Sequence, residues 1–233
     1  KENQLEYVWQ TSWAVTTRLV GAMVMVHGDD QGLRLPPRLA PIQVVVVPIW
    51  KNEEEHAQVM AVAERIMAEL RQEIRCRLDD RAEFSPGYKF SDWEMRGVPL
   101  RIELGPKDVQ KGQAVLVRRD LPRKQNRSTV SLGALQPEVR NLLEAIQNSL
   151  YTQALHFREE NTFYPTTYQE LGEAVGKGFA LAHWCGSAEC EAKMKEETKA
   201  TIRCIPLQQD GKPGHCVLCG GEAKEKAVFA KAY

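Results

Sequence analysis

The stretch IQVVVVPI at residues 42–49 decides the fold class of this chain. Its apolar residues are mostly β-branched and form one continuous run, which is typical of a strand buried on both faces of a parallel or mixed sheet. Asn52 and the three glutamates that follow it predict a helix start. An asparagine side chain can accept from the first free N–H groups, and acidic residues favour the positive end of a helix.

The same alternation of strand and helix continues along the chain. Strands are predicted at residues 74–78, 98–104, 114–118 and 129–132, and helices at 53–70, 85–95, 107–111 and 135–150. Apolar residues recur at helical spacing in the two longest helices. Strands that alternate with helices predict an open α/β sheet with helices on its faces.

The run VWQTSWAVTTRLVGAMVMVHGDDQGLRLPP precedes this region, at residues 8–37. Its first part alternates bulky and small residues and predicts a strand. Residues 19–26 are almost all apolar, which predicts a helix buried on most sides. Arg18 lies between the two elements, where its planar donor fork could hold a phosphate or a carboxylate. From the residues alone, a helix cap or a salt bridge is the favoured explanation of Arg18. The prolines at 36, 37 and 41 predict a linker.

The last region holds five of the six cysteines. Cys185 and Cys190 form one close pair and Cys216 and Cys219 a second, each with glycines nearby. Two such pairs favour a closed, tetrahedral thiolate site for a structural Zn²⁺. Reduced thiols or a disulfide pair are the alternatives, and a cytosolic setting disfavours the disulfide. With four protein ligands, such a site has no open position for an activated water.

Composition narrows the possible functions. The chain has 31 basic and 31 acidic residues, so bulk charge does not favour coating of nucleic acid. Between residues 98 and 127, however, eight basic residues stand against three acidic ones, which predicts a local phosphate-binding patch. No apolar run is long enough to span a membrane and no signal-peptide pattern is present, so we expect a soluble, cytoplasmic protein with no membrane or DNA partner.

Two strings, TSWAVTTR at residues 11–18 and HGDDQGLRLPPRLAP at 27–41, resemble the motif 3 region of prolyl-tRNA synthetases of the archaeal and eukaryotic-like type. That family is a class IIa aminoacyl-tRNA synthetase. The resemblance implies that Arg18 is catalytic and contacts the ATP phosphates. It also implies a site for ATP and proline that is lined by Gln10, Thr11, Ser12, Trp13, Thr16 and Arg18.

The segment GYKFSDWEMRGVPLRIELGPKD at residues 87–108 resembles the anticodon-binding domain that class IIa synthetases share. In the prolyl family these positions read the two guanines common to proline anticodons. The resemblance implies stacking by Phe90, acceptance from guanine by Glu94 and Asp108, and contacts to base or phosphate oxygens by Arg101 and Lys107. Single-stranded RNA is commonly read by aromatic stacking and bonds to base edges. The alternatives without RNA binding are that Phe90 is a ring of the hydrophobic core and that Arg101 and Glu103 lie on a solvated strand face.

The C-terminal zinc region also resembles this family, in which the final tyrosine, here Tyr233, reaches back toward the catalytic centre. We therefore expect three parts. Residues 1–41 would be the remnant of a class II antiparallel-sheet catalytic domain, residues 42–150 a mixed-sheet α/β anticodon-binding domain, and residues 151–233 a small α+β zinc-binding domain.

The resemblance implies ligation of L-proline to proline tRNA through prolyl adenylate, with ATP and Mg²⁺, by an enzyme that is a homodimer at full length. Because motifs 1 and 2 are absent from these 233 residues, we expect the isolated chain to be inactive. The alternative from a different class is a noncatalytic tRNA-binding module with a structural zinc site.

Overall fold

A computed structural model describes residues 8–232 of the chain, with a division into two compact units between Thr152 and Gln153. The first unit contains the following elements: α1 (Arg18–His27), β1 (Gly28–Asp29), β2 (Gly32–Leu33), β3 (Val44–Pro48), α2 (Glu53–Leu70), β4 (Cys76–Leu78), α3 (Pro86–Met95), β5 (Leu100–Leu104), α4 (Pro106–Gln110), β6 (Gln113–Arg118), β7 (Arg127–Ser131) and most of α5 (Leu135–Glu160).

A five-stranded mixed sheet in the order β4-β3-β5-β6-β7 forms the centre of this unit. Strands β4, β3 and β5 are parallel, and β6 and β7 extend the sheet in antiparallel pairing. All five residues of β3 are buried, as its β-branched run predicts. The predicted mixed α/β architecture is confirmed for this part of the chain.

The period-two alternation of strand side chains separates two cores on the two faces of the sheet. Val44 and Val46 face a large core with α2 and α5, whereas Val45 and Val47 face a smaller one with Trp93 and Val98 of the α3 region. On β5 the same alternation places Arg101 and Glu103 on the face opposite the large core, because Leu100, Ile102 and Leu104 belong to that core. The polar residues of β5 therefore lie on the α3 side of the sheet.

Local capping explains where the helices begin. The Asn52 side chain accepts a hydrogen bond from the Glu55 N–H at 2.9 Å, as the sequence predicts for the start of α2. Ser85 caps α3 by accepting from the Tyr88 N–H at 3.3 Å, and Pro86 occupies the first helical position. Helix α3, which carries much of the candidate site, thus has a fixed start.

The N-terminal described segment differs from the prediction. Residues 8–16 have no regular secondary structure and are exposed, and no described strand pairs with them, so the expected strand is wrong. Helix α1 forms where expected, but none of its residues is buried, so its expected burial is also wrong. Burial and strand pairing both need a covering element, and no element between residues 8 and 232 covers this segment.

The proline-rich segment is packed rather than loose. Pro36 and Pro37 are buried, and Ala40 is fully excluded from solvent. The Arg75 guanidinium donates to the carbonyl oxygens of Pro37 at 2.9 Å and Ala40 at 3.0 Å. The predicted linker is therefore fastened to the first unit.

Two glycines allow the β1–β2 hairpin to pack backbone to backbone against the end of α3. A Cβ atom on Gly32 would lie 2.5 Å from the Met95 backbone, and one on Gly97 would lie 2.5 Å from Leu33 Cβ. Both glycines also have positive φ angles, 122° and 76°. Only glycine fits this contact without moving the backbone.

The second unit contains the end of α5 and the following elements: β8 (Thr162–Phe163), α6 (Tyr168–Ala174), β9 (Phe179–Trp184), α7 (Ala188–Thr198), β10 (Ala200–Cys204), β11 (Gly214–His215), β12 (Glu222–Ala223) and β13 (Glu225–Lys231). A four-stranded sheet has the order β10-β13-β9-β8, and β11 and β12 form a separate hairpin. Its core is small, because five of its nine buried apolar residues are alanines. Among the described residues, no helix is long and apolar enough to cross a membrane.

Candidate functional site

An open cleft of about 280 Å³ lies between α3 and the β5–β7 part of the sheet in the first unit. Helix α3 supplies one wall and the strands with the β6–β7 loop supply the other. The lining residues are Gly87, Phe90, Ser91, Glu94, Arg101, Val117, Arg123, Asn126 and Arg127. Three of the five predicted anticodon-binding residues, Phe90, Glu94 and Arg101, therefore lie together.

Arg101 is the centre of the charge network in this cleft. Its guanidinium donates to Glu103 Oε1 at 3.0 Å and to Glu94 Oε1 at 3.2 Å, and its Cζ lies 4.3 Å from the centroid of the Phe90 ring. Arg101 and Glu103 are each only 6% exposed. The alternative interpretation of these two as a solvated strand face is therefore wrong.

Two exposed arginines complete the network from the loop and the edge strand. Arg123 donates to Glu94 Oε2 at 3.2 Å, and Arg127 donates to Glu103 Oε1 at 3.0 Å. Their side chains are 69% and 54% exposed, so they can exchange these partners for phosphate oxygens at little cost. The arrangement offers acceptors, donors and an aromatic ring on one surface, which suits an unpaired base with its phosphate.

Arg119 joins the cleft to the β1–β2 hairpin. Its Nε donates to the Glu94 carbonyl oxygen at 3.0 Å, and its two terminal nitrogens donate to Asp29 at 2.6 and 2.9 Å. This fork, together with Arg34, lowers the pKa of the Asp29 carboxyl despite partial desolvation. The backbone of α3 at Glu94 is thereby tied to the hairpin.

A second buried ionic cluster fixes the other side of α3 to the end of β4. Asp79 accepts from Arg81 at 2.8 Å and from the Trp93 indole N–H at 2.6 Å. Burial opposes the Asp79 charge, but these bonds and the nearby Lys89 ammonium outweigh it and lower the carboxyl pKa. Burial in turn lowers the pKa of Lys89, which is 3% exposed and donates to the Asp79 carbonyl oxygen at 3.2 Å.

Lys107 and Asp108, also predicted to read the anticodon, lie on α4 and do not line this cleft. Lys107 is exposed. Asp108 accepts from the Gly105 N–H at 3.0 Å and from the Gln113 amide at 3.2 Å, so much of its acceptor capacity holds the start of α4.

The residues predicted to bind ATP and proline lie in the exposed N-terminal segment. Gln10, Thr11, Ser12, Trp13 and Thr16 are all exposed and precede α1. Arg18 is the first residue of α1 and makes no ion pair with any residue between 8 and 232, so that range contains no partner for the salt-bridge alternative. A positive side chain at a helix N-terminus is unfavourable unless an anion binds there. Tyr233 lies outside the described residues.

Four cysteines of the second unit converge on one point. The sulfur atoms of Cys185, Cys190, Cys216 and Cys219 lie within 4.8 Å of one another. Cys185 follows β9, Cys190 lies in the first turn of α7, and the other two flank a tight turn between β11 and β12. That turn is closed by the Cys216 N–H to Gly221 O and the Gly220 N–H to Cys216 O, at 2.8 and 2.9 Å.

The spacing of these sulfurs fits a tetrahedral metal ion. The Cys185–Cys190 and Cys185–Cys219 sulfur distances are 3.6 and 3.8 Å. Zinc–thiolate bonds of 2.3 Å at tetrahedral angles place sulfurs about 3.8 Å apart, whereas a disulfide requires about 2.05 Å. The disulfide alternative therefore does not match this geometry, and the cluster can bind a metal ion.

The ionisation of the cluster is consistent with a cation site. Desolvation opposes the Cys216 thiolate, but the N–H groups of Cys219 and Leu218 outweigh it and lower the Cys216 pKa to about 7. Burial and the neighbouring sulfurs raise the Cys190 pKa to about 12. Like charges so close cannot all ionise without a compensating cation. His183 and His215 lie near these cysteines in the sequence, but their rings bond to the carbonyl oxygens of Lys212 and Gly220.

Residues 43–142 match the family model described as "Anticodon binding domain". The whole cleft lies inside that range. This part of the chain is therefore an anticodon-binding domain, the class of module that recognises tRNA in aminoacyl-tRNA synthetases.

Residues 168–233 match a second family model, described as "Prolyl-tRNA synthetase, C-terminal". The chain is 51% identical over 233 residues to a protein named proline–tRNA ligase from Chloroflexus aurantiacus, covering 100% of this chain and 48% of that protein. A Roseiflexus protein of the same name is 48% identical with the same coverage, and one from Amoebophilus asiaticus is 45% identical over 99% of this chain and 47% of that protein. The chain spans about half the length of the curated relatives it matches. The resemblance to prolyl-tRNA synthetases is confirmed, over the C-terminal half of those proteins.

Sequence reasoning missed several residues of the cleft. The sequence indicates Glu103 only as part of a strand face, and Arg123 and Arg127 only as members of a basic stretch. The alternation Arg101-Ile102-Glu103 was a usable signal, because it predicts both polar side chains on one face of β5. Nothing in the sequence pointed to Asn126.

Proposed function

We propose that the protein containing this chain ligates L-proline to its tRNA through prolyl adenylate, using ATP with Mg²⁺. The chain supplies the motif 3 segment, anticodon recognition and a zinc-binding domain, at residues 1–41, 42–150 and 151–233. The observation that carries this proposal is the 51% identity to a named proline–tRNA ligase over the full chain. The full-length enzyme acts as a homodimer in the cytoplasm.

In this reaction the proline carboxylate attacks the α-phosphorus of ATP and displaces pyrophosphate. A terminal ribose hydroxyl of the tRNA then attacks the prolyl carbonyl carbon and releases AMP. Catalysis of this kind depends on positioning and on stabilising charge at phosphorus. Arg18 contributes a guanidinium at the N-terminus of α1, where the helix dipole adds to its attraction for phosphate. The segment that carries Gln10 to Thr16 lines the adenylate.

Proline-dependent exchange of pyrophosphate into ATP by the full-length protein tests the catalytic part. Arg18→Ala is expected to lower the exchange rate by about 100-fold, the effect of removing one donor from a charge-stabilising site. Arg38→Ala is the matched control, because Arg38 is also exposed in the first unit but pairs with Glu144. Exchange that Arg18→Ala leaves unchanged would contradict the assigned role.

Binding of a proline anticodon stem-loop by this chain tests the anticodon part separately. The chain is expected to bind it more tightly than a stem-loop with both common guanines replaced by adenines, and Phe90→Leu is expected to weaken binding by about tenfold through lost stacking. Phe90 is only partly buried, so the fold should tolerate leucine. Equal affinity for the two stem-loops would refute anticodon reading.

Zinc in the four-cysteine cluster completes the proposal, with a structural role. The residues fit this ion in number, donor type and spacing.

The alternative of a noncatalytic tRNA-binding module predicts stem-loop binding without proline-dependent exchange in the full-length protein, so the same two assays separate the two functions.

A further inference from the structure

Asn126 is a buried polar residue of the cleft that the charge network does not use. It precedes β7, and its backbone is fixed because the Arg118 N–H donates to the Asn126 carbonyl oxygen at 2.8 Å. Asn126 is 8% exposed, yet its Oδ1 has no hydrogen-bond partner within the described range. An unpaired buried amide oxygen is costly, so this group calls for an explanation.

The surroundings of Asn126 differ from those of the charged residues. Glu94 and Glu103 both accept from Arg101, and each accepts from a further arginine, so their carboxylates are neutralised by the protein itself. The carboxamide is neutral, and no described residue bonds to its oxygen. A ligand can therefore bond to the amide without first breaking an ion pair.

The position of the amide allows it to serve a ligand. Asn126 lines both the 280 Å³ cleft and an adjoining cavity of about 20 Å³, which is large enough for one water molecule. No bond to Oδ1 holds the carboxamide in one orientation. Rotation by 180° about its last torsion turns either the acceptor or the donor end toward the cleft, and a water can satisfy the other end.

We infer that Asn126 reads a guanine base bound in the cleft, accepting from its exocyclic 2-amino group. This inference rests on the proposed anticodon function and extends it to a residue that the sequence did not indicate. Phe90 stacks the base, Arg101 and Glu94 define its edge, and the neutral Asn126 distinguishes guanine from bases that lack this amino group. A site built to bond a donor rejects an analogue without it, because its own acceptor is then left buried and unpaired.

Inosine tests this inference, because it is guanosine without the 2-amino group. The assay measures binding of this chain to proline anticodon stem-loops in which each of the two guanosines is replaced in turn by inosine. At one of the two positions, inosine is expected to weaken binding to the wild-type chain by about tenfold. The same replacement is expected to weaken binding to the Asn126→Leu variant by less than twofold. Gln125→Leu is the matched control, since Gln125 is exposed in the same loop and does not line the cleft.

A full inosine penalty in Asn126→Leu, or no penalty at either position in the wild type, overturns the inference. Failure of the wild type to prefer the proline stem-loop at all overturns the proposed function instead. If Asn126→Leu does not fold, the inosine penalty is measured in Asn126→Asp instead. It keeps the shape and the acceptor, so it should retain the inosine penalty, and loss of the penalty in a folded Asn126→Asp also refutes the assignment.

Discussion

The sequence reveals the surroundings of some residues of this chain only in part, and Arg101 is an example. Arg101 sits on a strand between apolar neighbours, and its alternation with Glu103 is visible in the sequence. Its near-complete burial is not visible, because it depends on α3 covering that face and supplying Glu94 as an ion-pair partner. Burial converts Arg101 from a surface contact into a structural support for both carboxylates.

Arg101→Leu is expected to lower the free energy of unfolding by about 3 kcal/mol. It leaves Glu94 and Glu103 in a poorly solvated site without the guanidinium between them. Urea denaturation of the chain measures the effect.

Arg123→Leu is the control for this substitution, because Arg123 is 69% exposed and pairs with the same Glu94. Its unfolding free energy should change by less than about 1 kcal/mol. Equal effects of the two substitutions would show that the buried network contributes nothing beyond a surface ion pair.

Individual elements of the anticodon-binding domain were predictable where local signals decide them. The continuous β-branched run gives β3, Asn52 and three glutamates give the start of α2, and Ser85 with Pro86 gives the start of α3. The strand expected before Arg18 is absent, because a strand needs a neighbour and no described strand pairs with that segment. Local chemistry specifies a helix end, whereas pairing and burial depend on distant segments.

Helix α3 is held on the sheet by Asp79, so its docking should depend on pH. The folded carboxyl pKa of Asp79 is lowered, and its contribution to stability is therefore present above the unfolded pKa of about 3.9 and is lost as pH falls through the folded value. Asp79→Asn should cost about 3 kcal/mol at pH 7, because Arg81 and Lys89 lose their buried counter-charge. The difference from wild type should shrink when urea denaturation is repeated below pH 4.

Asp80→Asn is the matched control for the pH series, since Asp80 is the exposed neighbour of Asp79. Its unfolding free energy should follow that of the wild type at every pH. A difference between Asp79→Asn and wild type that stays constant down to pH 3 would show that the Asp79 charge does not stabilise the helix.

At the scale of the whole molecule, the two units differ in the size of the hydrophobic core that stabilises each of them. The first has a core of eighteen buried apolar residues from strands and two long helices, whereas the second has nine, most of them small. Small cores seldom suffice alone, and a structural metal supplies folding free energy directly. The four-cysteine cluster lies in the unit that needs it more.

Metal removal is therefore expected to act on the second unit alone. Chelation of the freshly prepared, reduced chain should lower the melting temperature of one of two thermal transitions by more than 10 °C, since the transition of a domain this small shifts about 4–8 °C per kcal/mol. Calorimetry measures the shift in melting temperature, and metal analysis should find a stoichiometry near one zinc per chain.

Cys219→Ser should mimic chelation. Cys204→Ser should not, because Cys204 is an exposed cysteine outside the cluster. Metal content far below one per chain would refute the site.

The close approach of the β1–β2 hairpin to α3 has a consequence for how this chain can change over generations. A Cβ atom on Gly32 or Gly97 would lie 2.5 Å from backbone or Cβ atoms of the other element, so a side chain at either position cannot be accommodated by trimming a neighbour. A second substitution cannot return the displaced main chain to its original position. We therefore expect folded variants selected from random libraries of this chain to keep glycine at both positions. Only insertions or deletions should compensate for its loss.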